Sequence, residues 1–137
     1  MNRRPVWVRI RRGVATTTEL SEGFHDREAK AATLKAMLVL ASVHLDEQDK
    51  PRAAERFEAA RKIAYPLVAE DPSDLRMAAF LALTYEGLGR CTQGPAAVQR
   101  FAQSAELWKS WAVHGKSSGY DRDHLRDAER LLAEAGR

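Results

Sequence analysis

The chain has a single cysteine, Cys91, in 137 residues. One thiol cannot close an internal disulfide or supply a multi-cysteine metal site, and such usage fits a reducing compartment. Also missing is any apolar run near the ~18 to 20 residues that cross a bilayer as a helix, so no membrane partner is expected. The basic start MNRRPVWVRIRRG runs into VATTTELSEG instead of the apolar core of a secretory signal, and the expected location is the cytoplasm. Acids are absent from residues 1 to 13, which hold Arg3, Arg4, Arg9, Arg11 and Arg12. Because the whole chain carries +3 and this arm +5, the remainder carries a net −2. The high pI belongs to the arm, and nucleic acid would have to be met through it.

Residues equipped for chemistry are equally sparse. His25, His44, His114 and His124 include no pair at helical metal-ligand spacing. The GKS of Gly115 to Ser117 has Ser110 where a phosphate loop needs its first glycine, and no strand precedes it. Cys91 has no histidine near it in sequence, which leaves a nucleophile without its base. No catalytic residue, metal or cofactor is expected, and the chain reads as non-enzymatic.

What the sequence does contain is helix signal, spread over one domain's length. The central stretch is Asp71 to Gly89. Asp71 can cap free N–H groups, Pro72 suits the first helical position, and Gly89 suits a left-handed stop. Between them Leu75, Ala78, Ala79, Ala82, Tyr85 and Leu88 recur at three- and four-residue intervals. Seven apolar residues in a row, Met77 to Leu83, make this helix apolar on more than one side, so it needs neighbours on both flanks.

Around it four further helices are expected. Residues 4 to 12 alternate apolar and basic residues in a strand-like or extended pattern, and residues 14 to 25 read as a connector, which sets residues 1–25 apart from a helical domain at 26–137. A first helix runs from about Asp26 to Glu47 and buries Ala36, Leu40, Val43 and Leu45. Pro51 opens a second, with Ala53, Phe57, Ala60, Ile63 and Leu67 on one face and a kink or break at Pro66. Pro95 opens the fourth, whose Trp108 and Trp111 should bury against a fifth helix capped by Asp121 or Asp123. That last helix is amphipathic through Leu125, Ala128, Leu131, Leu132 and Ala135.

The chain repeats itself. A shift of 41 residues sets Leu40 on Leu81, Ala41 on Ala82 and His44 on Tyr85. A shift of 44 sets Pro51 on Pro95, Ala53 on Ala97, Phe57 on Phe101 and Ala60 on Ser104. A helix–turn–helix period near 40 residues is that of an α-solenoid. Ala82, Tyr85, Ala97, Phe101 and Ser104, with Ala41, His44, Ala53, Phe57 and Ala60 before them, resemble the tetratricopeptide repeat. The stretch from about residue 30 to 135 is similar to the C-terminal repeat regions of bacterial serine/threonine protein kinases, with no kinase domain present.

The resemblance implies an all-α fold of about five helices, antiparallel hairpins stacked as a short solenoid, behind an irregular N-terminal arm. It also implies a groove walled by the first helix of each pair, with Lys35, Leu38 and Ser42 from one repeat and Arg76, Ala79 and Leu83 from the next. Two cations there would prefer an acidic or C-terminal peptide. The function implied is that of a protein-binding module or adaptor, with the alternative that the arginine arm binds nucleic acid. Two hairpins and one extra helix are fewer than the three repeats that usually stand alone, so a homodimer or a covering partner is also expected.

Overall fold

Five helices account for most of the chain in a computed structural model that describes residues 17–115 and 117–137, with side chains from residue 22. They are α1 (Thr17–Asp46), α2 (Lys50–Glu70), α3 (Leu75–Arg90), α4 (Gly94–Val113) and α5 (Gly119–Ala135). No strand occurs among the described residues. The chain divides into two units, Met1–Thr33 and Leu34–Arg137.

The first unit contributes the start of α1, which begins nine residues before the expected Asp26. Thr and Gly suggested a connector there. Yet Glu19, Leu20 and Glu22 are good helix formers, and one Gly23 costs only about 1 kcal/mol against alanine. Farther along, Lys30 pairs with Asp26 at 3.0 Å across one turn, and the Thr33 hydroxyl donates to the Ala29 carbonyl.

Within the second unit, adjacent helices from α2 to α5 pack pairwise. Each pairing is antiparallel, as the side-chain contacts reveal. Phe57 near the start of α2 meets Gly87 near the end of α3, and Phe101 near the start of α4 meets Gly89. Trp108 of α4 stacks on His124 of α5, with ring centroids 4.6 Å apart and planes at 13°, while Phe101 packs on Leu131. Loops of three to five residues leave little other choice.

α3 is the centre of this packing. Met77, Ala78, Ala79, Leu81, Ala82, Thr84, Tyr85, Gly87, Leu88 and Gly89 are all buried, so the helix is enclosed nearly all round. Its start differs from expectation. Asp74, not Asp71, caps it by accepting from the Met77 N–H. Asp71 instead closes a local turn, accepting the Ser73 N–H at 3.1 Å and the Ser73 hydroxyl at 2.6 Å. Its end differs too, for Gly89 lies inside the helix and Cys91 follows as the cap residue. Glycine is needed at position 89 because a methyl carbon would run into the Phe101 ring. The left-handed turn falls later, at Gly94 with φ 65°.

The small–aromatic–small positions are buried alike in both second helices: Ala53, Phe57 and Ala60 in α2, Ala97, Phe101 and Ser104 in α4. Ser104, where the earlier copy has alanine, donates its hydroxyl to the Ala82 carbonyl at 2.9 Å and ties α4 to α3. In α2, Ala64 is buried and Ile63 only half so. Pro66 does not break this helix, which runs on to Glu70. Buried Ala64 and Leu67 hold the chain on either side of the missing N–H.

Two further corrections concern faces and caps. α1 turns Leu34, Leu38 and Ala41 inward, whereas Ala36, Leu40 and Val43 are exposed and Leu45 is half-buried. The helix is apolar on opposite sides here, so a 3.6-residue period fits either face. In α5 the cap position is Ser118, and Asp121 reaches back from the third helical position to the Ser118 N–H as half of a capping box.

Candidate functional site

Val39 is 60% exposed and Val43 44%, an arrangement that leaves apolar surface open along α1. Both line a cavity of about 570 Å³ between the second half of α1 and α3. Leu38 and Phe57 line its apolar depth, with Phe80 and Leu83 on the α3 side. The depth exists because Gly87 has no side chain, which lets the Phe57 ring lie against the α3 backbone. A second hollow of about 430 Å³ is lined by Leu45, Gly89 and Arg90 as well as Phe101. The C-terminal ends of α1 and α3 thus come to the same place.

Of the residues expected to wall a groove, Lys35, Leu38, Ser42 and Leu83 gather around this one cavity. Ala79 is buried elsewhere, in the cluster with Ala82, Ala105, Trp108 and Ala128 that joins α3 to α4 and α5. Arg76 is exposed one residue into α3 and is not among the residues around the cavity. Arg3, Arg4, Arg9, Arg11 and Arg12 of the basic arm lie outside the described residues. Not anticipated as wall residues were Val39, Val43 and Phe80 or the charged Asp46, Glu86 and Arg90. The signal for Val39, Val43 and Phe80 is the apolar excess of both helices, which exceeds what one buried face needs.

Charge sits at the ends of the cavity. Lys35 belongs to one end of its α1 wall, and Asp46 closes the other. Glu86 and Arg90, one turn apart on α3, face each other at 3.8 Å. Elsewhere the ionic features are structural. A hydrogen bond from Arg61 lowers the Glu58 carboxyl below its ordinary range, and burial raises the Tyr85 phenol against the opposing pull of Arg61 and Arg100. The Arg100 guanidinium lies 5.7 Å from the Tyr85 ring centre.

The remaining chemical candidates are placed as follows. Burial raises the Cys91 thiol above its usual range, with Lys50 pulling the other way, so the thiolate needed for nucleophilic attack is disfavoured. His44 is half-buried, with Nδ1 enclosed and without a hydrogen-bond partner among the described residues. Trp108 is buried and Trp111 half-buried, in an aromatic cluster completed by Tyr120 and His124 of α5. Among the described residues no three of His, Cys, Asp and Glu gather as a metal site. None of the described helices is long and apolar enough to cross a membrane. Comparison with protein-family models, with curated proteins and with solved structures found no match.

Proposed function

We propose that this protein is a non-enzymatic interaction module of the tetratricopeptide-like class, binding a segment of a partner protein in the cavity between α1 and α3. The observation that carries this reading is the cavity itself. Lys35, Leu38, Ser42 and Leu83, picked out by their place in the repeat, border one partly apolar hollow of about 570 Å³, inside the size range of ligand sites. Supporting it is the matched burial of Ala53, Phe57 and Ala60 with Ala97, Phe101 and Ser104, as two copies of one hairpin would require. Association of two copies is part of the same proposal, with sedimentation at high concentration as its check.

Selection of random displayed peptides on the full chain tests the groove. Ser42→Trp fills the cavity from an exposed position, and Lys62→Glu on exposed α2 surface serves as control. Peptides that bind wild type and Lys62→Glu but lose binding to Ser42→Trp are the expected result. An empty selection, or binding untouched by Ser42→Trp, contradicts the proposal.

A further inference from the structure

The cavity between α1 and α3 is mostly apolar and carries unlike charges at its ends. We infer that its occupant is a peptide segment with an acidic side chain at the Lys35 end, a basic side chain at the Asp46 end and apolar residues between. This rests on the groove reading above and adds the chemistry of the ligand.

Lys35 and Asp46 are eleven residues apart on α1, about 16 Å at 1.5 Å per residue. Neither has an ion-pair partner among the described residues. Beside Asp46, Glu86 and Arg90 offset one another at 3.8 Å, so Asp46 is the uncompensated charge at that end. Its position is also unfavourable for α1. An acid on the last residue of a helix sits against the negative end of the dipole. The C-terminal ends of α1 and α3 converge there, and a ligand cation would satisfy the carboxylate and both dipoles at once. At the opposite end the Lys35 ammonium has no counter-ion among the described residues. Val39, Val43 and Phe80 between them offer nothing that selects charge.

Length sets the spacing on the ligand. A strand at about 3.3 Å per residue covers the same distance in about five residues. Acid and base on a ligand in extended form are therefore about five positions apart.

Capped, fluorescently labelled six-residue peptides of one apolar core test this, with ends Glu and Lys, Glu and Glu, or Lys and Lys, titrated into the full chain at low salt. Wild type should prefer the mixed peptide by about three- to tenfold, in the range of single charge contacts. Asp46→Lys should shift the preference to the doubly acidic peptide and Lys35→Glu to the doubly basic one. Both positions are exposed, and circular dichroism checks that the variants fold. Equal binding of all three peptides, still blocked by Ser42→Trp, would overturn the charge assignment and leave the groove standing. If none of the peptides binds, or Ser42→Trp leaves binding intact, both assignments are overturned.

Discussion

The ring of Phe57 occupies the space that a side chain at residue 87 would fill, so closely that a single methyl carbon on Gly87 could not be accommodated without movement. Phe101 stands in the same relation to Gly89. Two residues are about 200° apart on a helix, so the two aromatic rings grip opposite sides of the last turns of α3. α2 and α4 thus meet α3 through the same device, an aromatic ring on a bare stretch of backbone.

That contact yields a test with a change of sign. Gly87→Ala in the wild type should destabilise by about 1 to 3 kcal/mol, the usual cost of overpacking, because Phe57 is only 3% exposed and has nowhere to go. With Phe57→Ala already in place the same substitution should stabilise by about 0.5 to 1 kcal/mol, as alanine is the better helix former. Urea unfolding of the four proteins measures both arms. Equal effects of Gly87→Ala in the two backgrounds would deny the contact.

Backbone strain at the α1–α2 turn gives a second test. Gln48 has φ 63° without being glycine, just beyond the end of α1. Left-handed backbone costs an ordinary residue roughly 1 kcal/mol or more. Gln48→Gly should therefore raise the free energy of unfolding by about 1 kcal/mol, read from the urea midpoint at unchanged slope. A loss of stability would mean that the Gln48 side chain contributes more than its backbone costs.

The third test concerns acid. Partial desolvation raises the Asp121 carboxyl, but the Ser118 N–H and the Ser117 hydroxyl outweigh it, and the group ends below its usual range. A carboxyl that is more acidic when folded contributes stability above its unfolded value of about 3.9 and loses it as the pH falls below that. Wild type should exceed Asp121→Asn in stability at neutral pH, and the gap should narrow as pH falls from about 4 towards 2. A gap independent of pH would assign the effect to packing.

Much of this was legible from local residue chemistry, and the failures have physical causes. Pro51 and Pro95 mark the starts of α2 and α4 to within a residue, and the shift of 44 residues finds side chains buried alike in both. The inward face of α1 was not legible, because Leu34, Leu38 and Ala41 on one side and Ala36, Val39 and Val43 on the other satisfy the same periodicity. The cap of α3 was ambiguous because Asp71 and Asp74 stand three residues apart and either could accept the first N–H groups. Gly89 reads as a stop in the sequence because glycine serves both as a left-handed residue and as a gap for an aromatic ring, and only the position of Phe101 tells which. Half of the cavity was hidden for a related reason. Within the apolar run from Met77 to Leu83, nothing distinguishes Phe80, which lines the cavity, from Leu81, which is buried.

The most direct measurement is a backbone amide spectrum of the full chain, recorded with and without a peptide selected on it. Shifts centred on Lys35 through Asp46 and Phe80 through Arg90, with Phe57 included, are the predicted outcome. Shifts centred on α5, or none in those two segments, would contradict the account.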